Sequence, residues 1–349
     1  MAFIPAEIIY RLSQTRTRTG TNGGLMSASV LQAAQGSMEA DFTDDERTTG
    51  ITVWHKLFVH AAKNANATPF LNPYVALQLP SPGNTRVLMA AGTARDTQSG
   101  LAPTRYYGAG LMAVAATAGA TTIYVDTEGG SPDGIFQPGD SLYLSDGVNS
   151  EKATLTGAAI TWVGQRATLN LTAGLIHDYA ANTADATDLS ETVQGLPTTS
   201  GRKPVTVSSR LSGGGASLAP SVSNWVETSA AGTYNEASYP LTLNNLATIE
   251  QDWTLTFTGP TTISLSGHSL GTLYTGGSIN NTQAPTNPDY AIPYFSLNPA
   301  GFGGTWQAGD TITWTTRAAA LPFWIKIIVP PNMAAFGQMD GLLLRAWGE

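Results

Sequence analysis

The sequence predicts a mostly β protein, a multidomain antiparallel β-sandwich or barrel with a small β module inserted. Three observations carry this reading. Period-two alternation recurs along the chain, as in "WTLTFT", where Trp253, Leu255 and Phe257 alternate with Thr254, Thr256 and Thr258; one face of such a strand is buried and the other wet. Clusters of Gly, Pro, Asn and Asp interrupt these stretches roughly every eight to twelve residues, the rhythm of a sandwich or barrel. From residue 51 onward no long amphipathic helix is written, and β-α-β alternation is absent.

Taken in order, residues 1–50 read as an N-terminal arm or extended segment, its stretch 11–24 being polar and a candidate to order on assembly. Within it, "LMSASVLQAAQGSMEADFTDDER" fits either a short helix or an extended polar segment. Residues 51–105 read as an antiparallel β region. In "ITVWHKLFVH", Ile51, Val53, Leu57 and Val59 share one parity while Trp54 and Phe58 take the other, as in a strand packed on both sides. "FLNPYVALQLP" and "TRVLMAAGTA" supply two more strands, with "KNANATP" and "SPGN" as turns. Residues 106–191 read as an inserted small barrel-like module and 192–221 as a linker, in which the Gly-rich stretch 212–217 is another candidate to order on assembly. Residues 222–349 read as a C-terminal β-sandwich region.

One phrase occurs twice. "FQPGDSLYLSDG" begins at Phe136 and "WQAGDTITWTTR" at Trp306; each has an aromatic, Gln, a small or imino residue, Gly-Asp, then an alternating strand. Gly provides the positive φ that a tight turn requires, and Asp bonds its own backbone nearby. The expectation is a duplicated corner with the aromatic in the core, and no catalytic part for Asp140 or Asp310.

Composition narrows the function classes. Only 12% of the 349 residues are charged and the net charge is −8. A polar surface of Thr, Ser, Asn and Gly suits a chain packed against other proteins or working outside a cytoplasm. The acidic balance opposes nucleic-acid binding, which depends on Lys and Arg neutralising phosphates; Arg11, Arg16 and Arg18 are a sparse set in a polar arm. There is no cysteine, so disulfides and thiolate metal sites are excluded. "MAFIPAEIIYRLSQ" lacks the pattern of a secretory signal, which predicts synthesis in a cytoplasm without cleaved export. "GAGLMAVAATAGA" is too short and too rich in Gly and Ala to span a bilayer, and no membrane insertion is expected.

Candidate chemistry is sparse. Gly267-His268-Ser269-Leu270-Gly271 matches a nucleophile elbow, but "GTLYTGGSINN" follows it and cannot hold the required helix, and no histidine lies downstream. His55 and His60 differ in strand parity, point to opposite faces and cannot share an ion. Three acidic stretches merit a calcium reading: Asp41, Asp44, Asp45 and Glu46; Asp146, Asn149 and Glu151; and Asn182, Asp185, Asp188 and Glu191. None follows the calcium-loop pattern; turn formation is the expected role, with structural calcium the alternative. No catalytic, cofactor-binding or metal-binding residue is assigned, and the expectation is a non-enzyme without cofactor.

Two stretches carry a resemblance. "TTIYVDTEGG…FQPGDSLYLSDGVNSEKATLT" resembles a small β module of tailed-phage structural proteins. The C-terminal run is similar to baseplate and tail proteins of contractile-tailed bacteriophages and prophages, through "GGTWQAGDTIT" and the ending formed by Pro322, Trp324, Lys326, Val329 and Pro330. "VWHKLFVHAAKNANATPFLNPYVAL" resembles a strand pair of the same group. The resemblance implies a structural component of a virion, in the baseplate or tail, made in the bacterial host cytoplasm. It implies a homo-oligomer, a trimer or hexameric ring, with other virion proteins as partners. A receptor- or glycan-binding tail adhesin and a capsid decoration protein are the alternatives; a tail-associated depolymerase lacks its motifs.

Overall fold

The computed structural model describes residues 3–32, 38, 42–63, 67–78, 85–182, 205–213, 215, 217–332 and 344–348. Its centre is a five-stranded antiparallel sheet in the order Gly23–Val30, Ile8–Thr15, Ile51–Ala61, Ala320–Val329, Arg86–Ala91. A strand from near the end of the chain therefore lies between two from its first hundred residues. Ala320–Val329 pairs along its length with Ile51–Ala61, from Ala320↔His60 to Val329↔Ile51, and on its other side with Arg86–Ala91.

Both faces of this sheet are covered. On the front, Val53, Leu57, Val59, Phe323, Ile325 and Met89 share a core with Val75, Leu77 and Leu211 of a smaller sheet. That sheet has the order Leu211–Ser212, Tyr74–Leu77, Leu344–Trp347, and the two form the base sandwich. The alternation in "ITVWHKLFVH" thus packs on both sides as its two apolar parities require.

The back face receives two inserted units and one loop. The first unit is a seven-stranded antiparallel sheet running from Ser150–Thr154 through Ser141–Ser145, Thr206–Ser209, Ala109–Met112, Thr122–Asp126 and Arg166–Asn170 to Thr161–Val163. It curls back on itself, since Leu155 bridges Leu171, Thr156 N donates to Asn170 O at 2.8 Å and Thr172 N donates to Thr154 O at 2.8 Å. Leu142, Leu144, Val125, Leu169 and Val207 fill its interior, and Leu88 of the base sheet joins that core. The second unit is a five-stranded antiparallel sheet in the order Ser221–Thr228, Thr311–Arg317, Gln251–Phe257, Thr262–Gly267, Gly271–Ser278. Trp253, Leu255, Phe257, Ile312 and Trp314 line its buried face.

Three stretches differ from the sequence reading. The polar 11–24 stretch does not stand apart as an arm: Ile8–Thr15 and Gly23–Val30 are strands of the base sheet. Arg11↔Phe58 and Leu12↔Leu57 pairing, with Ser13↔Met26 and Thr15↔Gly23, gives this segment the backbone bonds that its modest apolar content does not advertise. The stretch 192–221 contains Thr206–Ser209, which is inserted between two strands of the first unit and is fully buried; residues 192–204 lie outside the described residues. In 222–349, Ala320–Val329 leaves the C-terminal unit for the base, because Phe323, Trp324 and Ile325 are adjacent and all need cover, which only a two-sided sheet supplies. The ambiguous "LMSASVLQAAQGSMEADFTDDER" contains both a strand and a short helix, Asp44–Thr49, capped by Thr43 and Glu46. "SPGN" lies outside the described residues.

At the middle of the back face sits Lys56, 1% exposed. Its ammonium meets Asp96 Oδ1 at 2.6 Å and donates to Gly24 O at 2.7 Å and Asp96 O at 2.9 Å, while Trp324 Nε1 donates to Asp96 Oδ2 at 2.9 Å. Burial pulls the lysine down, and Asp96 opposes that pull. Breaking such a pair leaves an uncompensated buried charge, so Asp96→Ala should destabilise the base by about 3–5 kcal/mol. Adding Lys56→Met should recover most of it in chemical denaturation; equal losses in single and double variants would refute the account.

Candidate functional site

The two Gly-Asp phrases are the same object at atomic detail. In the first, Gln137 N donates to Asp140 Oδ2 at 2.7 Å and Asp140 N donates to Gln137 O at 3.1 Å. In the second, Gln307 N donates to Asp310 Oδ2 at 2.8 Å and Asp310 N donates to Gln307 O at 3.1 Å. The third residue of each turn has positive φ, 82° at Gly139 and 98° at Gly309, as a type II turn requires. Each glycine N–H also reaches a neighbouring segment, at Thr156 O just past Ser150–Thr154 and at Phe257 O in Gln251–Phe257, both at 2.9 Å. Phe136 and Trp306 are buried, and Trp306 stacks on Phe257 with ring centroids 4.1 Å apart. Each corner therefore locks a turn to a core and to an adjacent segment, once in each inserted unit.

The other candidates also have structural partners. Ser269 lies in the turn between Thr262–Gly267 and Gly271–Ser278 and accepts from Gln251 Nε2 at 2.6 Å; a strand, not a helix, follows it. Asp146 Oδ1 accepts from Val148 N at 2.8 Å and Asn149 N at 2.6 Å, closing a hairpin. Glu151 accepts from Ile176 N at 2.8 Å and His177 N at 3.1 Å. Asn182 ties Met112 O to Val205. Asp44 pairs with Arg47, and Glu46 closes the helix cap and pairs with Arg18. Asp41, Asp185, Asp188 and Glu191 lie outside the described residues. Among the described residues no group of three or more His, Asp or Glu converges as a metal site. No described helix is long and apolar enough to cross a membrane, which leaves strands aside.

Charged side chains gather at the seams between units, and these were not legible as sites in the sequence. At the seam with the second unit, Arg11 Nε donates to His60 Nδ1 at 2.7 Å, and His60 Nε2 lies 2.7 Å from Asn245 O. A carbonyl only accepts, so Nε2 carries the proton and Nδ1 is the lone pair that Arg11 addresses. His60 is fully buried, whereas His55, of opposite parity, is half-buried. The Asn245 side chain then binds both Thr68 N and Thr68 O, at 2.7 and 2.8 Å. Arg95 reaches across the same seam to Asp252 and Glu250. At the seam with the first unit, Arg86 pairs with Asp133 at 2.9 Å and Arg105 with Asp140, so one repeated corner also serves as an anchor. The signals available in the sequence were the charges embedded in apolar strands, Arg11 in "IIYRLS" and Lys56 in "VWHKLFVH".

Comparison of the chain with known protein families, curated proteins and solved structures finds no match.

Two outcomes test the corner and the seam. Gly309 has open space where a Cβ would stand, so Gly309→Ala isolates the backbone cost of its positive φ. It should destabilise by roughly 1–2 kcal/mol, read as a shift of the denaturation midpoint; an unchanged midpoint would mean the turn does not require glycine. Burial first, and then the adjacent Arg11 guanidinium, push His60 down to about 4, with the Asn245 carbonyl acting in the other direction. Unfolded histidine titrates near 6.5, so between pH ~6.5 and ~4 the unfolded chain takes a proton that the native chain refuses. The contribution is complete above pH ~6.5 and falls as pH drops through ~4, by on the order of 3 kcal/mol. His60→Gln should flatten that part of the stability profile; parallel profiles would exclude His60 as its source.

Proposed function

We propose that this chain is a non-enzymatic structural component of a tailed-phage virion, belonging to the baseplate or tail, that assembles with further copies of itself and with other virion proteins. The observation that supports the reading best is the use made of its polar residues. The repeated Gly-Asp corner, His60, Ser269 and the described acidic loops make turn, hairpin and seam bonds, and the pairs Arg86–Asp133, Arg105–Asp140 and Arg95–Asp252 fasten units to one another. That is the economy of a part whose work is to hold shape. The phrases "FQPGDSLYLSDG" and "WQAGDTITWTTR", similar to those of phage tail and baseplate proteins, point to the same class.

The test is quantitative mass spectrometry of purified particles from a lysogen or phage encoding the chain, normalised to the major capsid and tail-tube proteins. The expected result is a few to a few dozen copies per particle, in multiples of three or six. Hundreds of copies would move the chain to the shell or along the tail. Its absence from particles would overturn the virion reading.

A further inference from the structure

Lys56 and Asp96 stand in the relation of two reacting groups. Nζ lies 2.6 Å from Asp96 Oδ1, yet that oxygen is enclosed and accepts no aligned hydrogen bond. Two of the three hydrogens on Nζ are taken instead by Gly24 O at 2.7 Å and Asp96 O at 2.9 Å. The third position on the nitrogen, where a lone pair arises once its proton leaves, is the one left for the carboxyl group. Cγ is one covalent bond beyond Oδ1, which brings amine and carbon toward the separation of about 3–3.5 Å at which such groups react.

Both groups are held in place by the fold. Lys56 belongs to Ile51–Ala61, which is paired on both sides in the base sheet. The Asp96 backbone is fixed by Gly24 N, which donates to Asp96 O at 2.9 Å, and by the bridge between Gly23 and Thr97. Gly23 has φ 110°, and a Cβ there would stand 2.7 Å from the Trp324 ring and 2.8 Å from Asp96 O, so its lack of a side chain lets the loop close over the lysine. The far carboxylate oxygen, Oδ2, accepts from Trp324 Nε1 at 2.9 Å and from Thr93 N at 3.1 Å. These two donors face the oxygen on which negative charge gathers when an amine adds to Cγ, the arrangement of an oxyanion hole.

The surroundings favour loss of both charges. The Lys56 side chain is 0% exposed, with Nζ 5.2 Å over the Phe58 ring and 5.8 Å over that of Trp324. Ions in such a dry site are costly, and a neutral pair is less so. At the seams the cations are Arg86, Arg95 and Arg105, whose guanidinium groups stay protonated. Here the cation is a lysine, whose charged form burial already disfavours. A proton shift from Nζ to Oδ1 within the pair removes both charges without a third group. The Asp96 side chain keeps 17% exposure, which leaves a way out for a water molecule.

We propose that Lys56 and Asp96 join through an amide bond between Nζ and Cγ, a cross-link that the folded chain makes on itself. A proton passes from Nζ to Oδ1, and the freed lone pair attacks Cγ, which places charge on Oδ2. The Cγ–Oδ1 bond then breaks, and Oδ1 leaves as water with a second proton from Nζ. Ammonium and carboxylate thus become one amide and one water, with no oxidant, cofactor or second chain required. The bond fastens the central strand Ile51–Ala61 to the loop that follows Arg86–Ala91, in a chain that has no cysteine for a disulfide. A covalent link of this kind stabilises chiefly by restricting the unfolded chain. The inference rests on this geometry alone and stands or falls separately from the virion reading.

The test is mass spectrometry of the purified full-length chain, denatured after folding. Apart from any loss of Met1, the intact mass is expected to fall short of the sequence mass by one water. Trypsin should then yield residues 48–63, uncut at Lys56, joined to residues 96–105 as a branched peptide. Lys56→Met should restore the full mass and release 96–105 as a linear peptide. The steps Asp133-Gly134 and Asp146-Gly147 also lose water by ring closure, so the site of the loss decides. The decisive reading is made on the unaltered chain and needs no variant to fold. If that chain gives only linear peptides, one ending at Lys56 and one beginning at Asp96, the cross-link is overturned whatever the intact mass.

Discussion

The pairing of Ala320–Val329 between Ile51–Ala61 and Arg86–Ala91 fixes where the rest of the molecule can lie. It brings a late segment of the chain into the middle of a sheet built from the early ones. The chain between residues 91 and 320 therefore makes two excursions from the base, touching it again in between at Leu211–Ser212. The two inserted units occupy those excursions, one after the other. Because this central strand presents Phe323, Trp324 and Ile325 in succession, all fully buried, neither face of the sheet can be left to water. The front is covered by the small sheet of the base. The back is covered by the first unit at Leu88, by the Asp96 loop at Lys56 and Trp324, and by the second unit at His60.

Covering a sheet on both sides has an electrostatic consequence. Lys56, Arg11 and His60 lie in strands whose back face is taken out of water, and each must find partners there. Lys56 is met by Asp96 and two backbone carbonyls, and Arg11 by His60 and Ala28 O. His60 is kept neutral by burial and by the neighbouring Arg11 guanidinium, against the pull of the Asn245 carbonyl. The His60–Asn245 bond and the Arg95 pairs with Glu250 and Asp252 are directional, so they set how the second unit is oriented on the base as well as holding it there. Apolar burial alone would tolerate more angles of approach.

The repeated corner shows how one solution serves two different sheets. In both units a glycine with positive φ turns the chain, an aspartate carboxylate holds the first turn residue, and the aromatic before the turn anchors in the core. The corners differ in what else the carboxylate touches. Asp140 pairs with Arg105 at the base, whereas Asp310 accepts from Ser229 Oγ at 2.8 Å within its own unit. A common local device is thus joined to the base in one case and kept internal in the other.

The sequence by itself determined the class of structure, the positions of most strands, the two-sided packing of Ile51–Ala61 and the chemistry of the Gly-Asp corner. These are local properties: alternation, positive φ at glycine and a short carboxylate reaching its own backbone are set by residues within one turn or strand of each other. Tertiary structure alone decided that the polar stretch around Arg11 joins the base sheet, that Thr206–Ser209 completes the first unit, and that Ala320–Val329 returns to the base. It alone brought Arg11, His60 and Asn245 together, and Lys56 with Asp96 and Trp324. Each of these joins segments 40 or more residues apart, as with the separation of 185 between His60 and Asn245. A strand's alternation states that a face will be buried, but its partner is chosen by backbone pairing and by the shape of the surface it meets. Neither of those is written in the segment itself.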